Sequence, residues 1–347
     1  MKPMENLPLA RWTTFGLGGP ARWFLEATSD EDVAAGVAWT REQGLSLFVL
    51  GGGSNLLVAD GGFPGVVLRI AIGGIREAGA PEILEAGAGE DWDGVVAHAV
   101  ARGLGGIECL SGIPGTVGGT PVQNVGAYGQ EVSTSIRRVD AFDRQTECLV
   151  TLTPADLGFA YRRSILNSTA AGRYIVLRVT YELQRDAAPC IAYRDVAKVF
   201  AASSLPPTLQ QVRDAVRGIR HGKGMLIVAG DPDCRSAGSF FKNPVIETAA
   251  FDALAGRLDG DLPRFPAADG FVKLPAARLI EAAGFTRGYR RGGAAISSKH
   301  TLALVNRDHA SATDVVNLGR EIRDTVRDRF GVTLVPEPIF LGFPTPF

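Results

Sequence analysis

Much of what would assign this chain to a common class is missing from it. Its four cysteines, Cys109, Cys148, Cys190 and Cys234, lie far apart, and no C-x-x-C pair occurs. Neither a disulfide framework nor a zinc site is expected, and reduced thiols are the simple reading. The four histidines, His98, His221, His300 and His309, have no spacing that suggests a relay, and H-E-x-x-H is absent. No metal is therefore expected. No apolar run approaches the ~18 residues of a membrane span, and Met1–Ala10 carries no apolar leader segment. The expected setting is cytoplasmic, without membrane association. There is also no excess of either charge, with Lys+Arg 36 against Asp+Glu 37. A general nucleic-acid binder needs a basic excess, so that class is excluded, while a local basic pocket for a small anion is not. Nothing in the sequence demands an oligomer, and a monomer is expected.

Glycine is over-represented. There are 43, against an average near 7%. They cluster at 51–53, 61–65, 103–106 and 112–129, inside a chain that is 46% hydrophobic. Such clusters within a packed chain point to turns and close backbone approach to a ligand rather than to a linker.

The apolar pattern alternates between helix and strand periods. Ser29-Asp30 opens a helix with Val33, Ala34, Val37 and Ala38 on one side, stopped by Gly44. Strands are expected at 45–50 and 65–70, then from Ile83, followed by a helix through Trp92, Val95, Val96, Ala99 and Val100. Further strands are expected at 136–143, 147–152 and 174–183, and a helix over 209–220 ends one domain. Beyond it come Val272–Lys273, a helix at 276–283, a strand at 301–306, a helix capped by Ser311 with Asp314, and a last strand at 332–340. The class is α+β with mixed sheets.

Two familiar fingerprints fail. Gly16-Leu17-Gly18-Gly19-Pro20-Ala21 fits G-x-G-x-x-A, but no strand precedes it and Pro20 interrupts it. A Walker loop needs Gly-Lys-Ser/Thr, and here Gly53 is followed by Ser54-Asn55. Gly51-Gly52-Gly53-Ser54-Asn55 can still gather N–H groups around an anion, or it can be a plain turn. The second segment adds weight to the first reading. Ser111-Gly112-Ile113-Pro114-Gly115-Thr116-Val117-Gly118-Gly119, followed by Gln123-Asn124-Val125-Gly126-Ala127-Tyr128-Gly129, can wrap a flat polar ring with backbone donors. Loops of this length inside a domain are usually functional.

In order and spacing, both segments resemble the FAD-binding signatures of the UDP-N-acetylenolpyruvoylglucosamine reductase (UDP-N-acetylmuramate dehydrogenase) family. Phe159-Ala160-Tyr161-Arg162-Arg163-Ser164-Ile165, Ala237-Gly238-Ser239-Phe240-Phe241-Lys242-Asn243-Pro244 and Pro336-Glu337-Pro338 are similar to its catalytic segments. Weaker similarity occurs at Thr14-Phe15-Gly16 and 297–302, and the resemblance runs from about residue 13 to 341. It implies a vanillyl-alcohol-oxidase-type (PCMH-like) FAD-binding fold with a C-terminal α/β substrate-binding domain. The division expected is 1–75 as FAD-binding subdomain 1, completed by 335–347, then 76–217 as subdomain 2 and 218–334 as the substrate-binding domain.

The resemblance also implies a reaction. FAD, held non-covalently, takes hydride from NADPH and delivers it to C3 of UDP-N-acetylglucosamine enolpyruvate; C2 is then protonated. Implied cofactor contacts are Gly51, Gly52, Gly53, Ser54, Asn55, Leu56, Ile113, Pro114, Gly115, Gly118, Gly119, Gln123, Asn124, Gly126, Ala127 and Tyr128. The guanidinium of Arg162 suits a carboxylate and a developing enolate. Ser239 resembles the acid that protonates C2, although a free serine hydroxyl is a poor acid and needs polarising neighbours. Glu337 is the third implied catalytic residue; near an enolate it helps only if protonated or if it orients a donor. Taken singly these three read equally as a surface arginine, a turn serine and a strand-end glutamate; together they match one pattern. Tyr161, Tyr193, Lys223 and Asn243 are the implied substrate contacts, with Tyr193 resembling the tyrosine of the type I branch. Departures are Thr13, where the family often has Asn, and Arg290-Arg291, where some members carry amides. The alternatives are a covalent-flavin oxidase of the same fold, for which no histidine occurs in residues 1–90, and a non-catalytic flavin-binding protein.

Overall fold

Caps and glycine stops set the helices. In the computed structural model, which describes residues 1–258, 261–345 and 347, helix α1 spans Asp30–Glu42. Ser29 accepts the Asp32 N–H at its start, and Gly44 follows its end at φ +62°. Helix α2 (Trp92–Ala101) begins where Asp91 accepts the Gly94 N–H. Helix α3 spans Leu209–Gly222 and α4 spans Ala276–Ala282. Helix α5 (Ala312–Phe330) carries the full capping box of Ser311 and Asp314 and stops at Gly331, φ +72°. Packing outweighs that cap: α5 buries Val315, Val316, Leu318, Ile322 and Val326, each worth about 1.5–3 kcal/mol, against about 1 kcal/mol for the cap.

The chain forms two compact units. The first comprises Met1–Leu7, Ala21–Gly53 and Pro64–Gly222; the second comprises Pro8–Pro20, Ser54–Phe63 and Lys223–Phe347, Pro346 being outside the described residues. In the first, a four-stranded sheet runs in the order Met4–Pro8, Pro20–Ala27, Phe63–Ile70, Leu47–Leu50, the last two parallel. A five-stranded antiparallel sheet follows in the order Cys148–Leu152, Ile136–Asp143, Tyr174–Glu182, Ile83–Gly87, Ile75–Glu77. Leu68, Leu84, Val95, Val139, Val179 and Tyr181 lie in its continuous core. The second unit has two three-stranded sheets and a parallel pair of Leu56–Val58 with Ile339–Leu341. Its core joins Phe15, Leu57, Phe240 and Phe241 to α4 and α5.

Several expectations need adjustment. The segment after Gly16-Leu17-Gly18 enters a strand, Pro20–Ala27, rather than a helix, which removes the remaining basis for a dinucleotide turn there. The expected strand at 301–306 shortens to Leu304–Asn306. The last strand, expected over 332–340, is regular only at Ile339–Leu341. Pro336 and Pro338 lack the N–H a ladder needs, and the segment before them makes only an isolated bridge, Phe241 with Pro336.

Candidate functional site

In the first unit the two glycine segments meet backbone to backbone. A Cβ placed on Gly52 would lie 2.6 Å from Gly115 Cα, and one on Gly51 would lie 2.8 Å from Thr116 Oγ1. Only glycine allows that approach. Thr116 Oγ1 is buried and has no hydrogen-bond partner among the described residues. A buried polar atom of this kind at a glycine cradle is what a polar ligand satisfies.

The second segment is pinned along its length. Trp92 N donates to Gly115 O at 3.1 Å, Val117 N to Glu90 O at 3.0 Å and Gly118 N to Ala88 O at 2.9 Å. Asp93, in the first turn of α2, accepts the Gly112 N–H at 2.6 Å and both Arg213 amino groups at 2.6 and 3.0 Å, and it pairs with Arg217. Arg213 also donates to Ser111 Oγ at 3.0 Å, and Arg220 Nε donates to Gly112 O at 2.9 Å. Burial pushes the Asp93 carboxyl up, but the Arg213 and Gly112 hydrogen bonds and the two arginine charges outweigh it and hold the group below the usual carboxylate range. Sequence reasoning missed this staple. Its one signal is the spacing of Arg213, Arg217 and Arg220, four and three residues apart on one face of α3.

Three of the residues expected at the site sit at positive φ: Asn124 at +45°, Tyr128 at +49° and Arg162 at +54°. Such backbone is uncommon outside glycine and marks positions fixed by their surroundings. Asn124 is 1% exposed; its amide donates to Glu131 Oε2 at 2.9 Å and Ala160 O at 3.2 Å, and accepts from Ser133 N. Arg162 occupies the tip of a tight turn closed by mutual Ala160–Arg163 hydrogen bonds, and its Nη2 donates to Gly126 O at 2.7 Å. The structure thus brings Arg162 onto the expected cofactor loop. Tyr161 is exposed, with its ring 5.6 Å from the Arg162 guanidinium. Tyr193 is exposed and meets Tyr128 edge to face at 5.4 Å.

The second unit brings the segments that carry Ser239 and Glu337 side by side, joined by the isolated bridge of Phe241 with Pro336. Phe240 O accepts the Glu337 N–H at 2.8 Å, Lys242 N donates to Val335 O, and Phe240 N donates to Leu302 O at 2.7 Å. Asn55 joins the same arrangement: its amide donates to Glu337 O at 3.2 Å, and its carbonyl accepts the Ile339 N–H at 2.9 Å. Upstream of Ser239, Asp233 is 2% exposed and accepts Ser298 Oγ, Ser298 N and Arg307 Nη2 within 2.9 Å. Desolvation raises its carboxyl, and these contacts more than offset it, leaving the group below its ordinary range. Asn243 Oδ1 accepts the first N–H of α4 at 3.0 Å, a helix-capping role the sequence did not reveal. Lys223 opens the long C-terminal segment of this unit. Of the departures, Thr13 bonds within its own turn, to Leu17 O at 2.9 Å. Arg290 and Arg291 pair with Asp308 and Glu321.

Among the described residues there is no cluster of three metal-ligating side chains and no helix long and apolar enough to cross a membrane. Residues 21–151 match the model of an FAD binding domain, and residues 231–341 match that of the UDP-N-acetylenolpyruvoylglucosamine reductase C-terminal domain. A UDP-N-acetylenolpyruvoylglucosamine reductase of Streptomyces avermitilis is 47% identical over 99% of this chain and 96% of the relative. One from Thermobifida fusca is 44% identical over 97% and 98%. The crystal structure of UDP-N-acetylenolpyruvylglucosamine reductase from Thermus caldophilus is 28% identical, with a TM-score of 0.67 over 98% of both chains. The FAD-binding fold expected above is therefore present, followed by the reductase's own C-terminal domain. Near-full-length identity of this order, together with the matching C-terminal domain, makes the chain a member of the UDP-N-acetylenolpyruvoylglucosamine reductase family.

Proposed function

We propose that this protein reduces the enolpyruvyl C=C bond of UDP-N-acetylglucosamine enolpyruvate, giving UDP-N-acetylmuramate, with NADPH as reductant and non-covalent FAD as cofactor. The observation that carries the reading is the pair of hydrogen bonds that joins the Ser239 turn to Glu337 and Asn55, through Phe240 O and Glu337 O. When bound, FAD would supply the hydride transfer between NADPH and the enolpyruvyl double bond. The chain's own residues do the rest. Arg162 holds the substrate carboxylate and the charge that develops next to it, Ser239 gives the proton to C2, and Glu337 acts as a neutral acid or orients a donor. Tyr161, Tyr193, Lys223 and Asn243 contact the substrate. Lys223 suits the diphosphate as a point charge, and Asn243 keeps its amide N–H₂ for the ligand while its Oδ1 caps α4.

The FAD fits the residues present. Its proposed contacts are Gly51, Gly52, Gly53, Ser54, Asn55, Leu56, Ile113, Pro114, Gly115, Gly118, Gly119, Gln123, Asn124, Gly126, Ala127 and Tyr128. The orphan Thr116 Oγ1 adds a donor that the sequence reading did not include. Gly52→Ala puts a methyl 2.6 Å from Gly115 Cα, backbone that cannot move aside cheaply. We expect FAD affinity to fall about tenfold or more, from about 1–3 kcal/mol of overpacking. Titration of apoprotein with FAD, read by flavin fluorescence, checks it; an unchanged Kd would remove these glycines from the site.

On this reading residues 1–75, completed by 335–347, and 76–217 are the two FAD-binding subdomains, and 218–334 is the substrate-binding domain. The protein works as a cytoplasmic monomer on a small-molecule substrate, in peptidoglycan precursor synthesis, and so supports cell shape and division. The testing experiment is initial-rate NADPH oxidation at varied enolpyruvyl substrate. We expect strict dependence on that substrate, parallel double-reciprocal lines and inhibition at high substrate, since one site serves both reactants in turn. Intersecting lines at low substrate, or oxidation without the enolpyruvyl compound, would overturn the proposal.

A further inference from the structure

The turn that presents Ser239 is fixed at both ends by different means. Its downstream end is Phe240, whose N–H donates to Leu302 O and whose O accepts the Glu337 N–H. Its upstream end has two anchors. Asn306 N donates to Arg235 O at 2.9 Å, which sets the path of the chain as far as residue 235. The next carbonyl, that of Ser236, accepts the Thr14 hydroxyl at 2.6 Å. Between Ser236 and Ser239 lie Ala237 and Gly238. Gly238 has φ +73°, and a Cβ there would meet nothing within 4 Å. Gly238 N donates to Ser236 Oγ at 3.2 Å, and Ala237 is buried in the unit's core. The short span before Ser239 is thus tied back to Ser236, and its aim follows from the orientation of the Ser236 peptide.

Thr14 is well placed to hold that peptide. Its neighbour Phe15 is fully buried, and Phe15 O accepts the Asn306 amide at 3.1 Å. The Thr13 hydroxyl closes the local turn onto Leu17. Thr14 Oγ1 also lies 3.4 Å from Ser54 O, in the first glycine segment. A hydroxyl has one proton, and the 2.6 Å contact takes it; the longer one is weak. We infer that Thr14 is a positioning residue for the reduction step: its hydroxyl, bonded to Ser236 O, aims Ser239. The inference rests on the assignment of Ser239 as proton donor.

The test uses the FAD-loaded enzyme and stopped-flow flavin absorbance, with reduction by NADPH and reoxidation by UDP-N-acetylglucosamine enolpyruvate followed separately. Thr14→Val and Thr14→Ala remove the hydroxyl with different bulk, and Thr14→Ser keeps it. Reoxidation should slow by about ten- to a hundredfold in the Val and Ala variants, the scale of an ångström's misplacement at a reacting group. It should return to within about threefold of the parent in Ser, and reduction by NADPH should change little in all three. The Thr14→Val, Ser239→Ala double variant should be no slower than Ser239→Ala, since a positioner has nothing left to position. Equal slowing of both half-reactions, failure of Ser to restore the rate, loss of bound FAD in all three variants, or additive losses in the double variant would overturn the inference. If Ser239→Ala is selectively impaired while Thr14→Val is not, the Thr14 assignment alone fails. If Ser239→Ala shows no selective loss, the proton-donor reading fails and takes this inference with it.

Discussion

Replacing Ser239 by alanine is expected to leave flavin reduction by NADPH nearly unchanged and to slow reoxidation by the enolpyruvyl substrate by about 10²–10⁴-fold, the usual range for a positioned general acid. The separation follows from the proposed role, because a proton for C2 is needed only once the substrate has accepted hydride. The fold should tolerate the change. Ser239 is only half-buried, and the segment that carries it is held by the Phe240 backbone and the buried Phe240 and Phe241 side chains, none of which alanine alters. Stopped-flow absorbance at the flavin band measures each half-reaction directly. Equal slowing of both would mean that the serine supports the cofactor or the fold, and a loss below about tenfold would mean that water replaces the hydroxyl.

Arg162→Ala is expected to affect binding as well as rate. A guanidinium that holds a carboxylate acts on the ground state, and one that meets the developing enolate acts on the transition state, so KM should rise while reoxidation slows by about 10²–10³-fold. Arg162 sits at φ +54°. Alanine has the same Cβ and is as strained there as arginine, so the substitution adds little backbone cost. It does remove the donor to Gly126 O, which is why Arg162→Lys is the informative companion. Lysine keeps the charge but not the planar fork, so it should recover part of the binding and little of the rate. Steady-state and half-reaction kinetics on both variants check this. A lysine variant with full activity would show that charge alone suffices.

Much of the fold could be read from the sequence because periodicity and caps agreed. Ile136–Asp143 appears as a strand over the very residues expected, and the Ser311–Asp314 box opens α5. Where expectation and structure parted, a specific residue explains it. Pro20–Ala27 escaped notice as a strand because proline opens it and polar and apolar residues do not alternate cleanly. Pro336 and Pro338 cut the final strand short. The candidate site was legible as motifs but not as a supported structure. Gly51–Asn55 and Ser111–Gly129 stand out by composition. The Asp93 staple leaves only the spacing of its arginines as a sign, because they lie more than a hundred residues away, on a helix whose charged positions read as a solvated face. Thr14 was noticed only as part of a weak similarity, since the partner of a hydroxyl more than two hundred residues distant cannot be read from spacing.

The parallel pairing of Leu56–Val58 with Ile339–Leu341 bears on how the chain is made. Leu56, Leu57 and Val58 are all buried in the finished protein, yet the strand they pair with lies more than 280 residues further along the chain. The first unit's long segment, Pro64–Gly222, is made entirely between the two. Closing so long a loop is slow as well as entropically costly. Until Ile339–Leu341 has emerged, the apolar Leu56–Val58 segment is open to other chains. The same pairing that holds Asn55 beside Glu337 thus makes the newborn polypeptide prone to association over that interval.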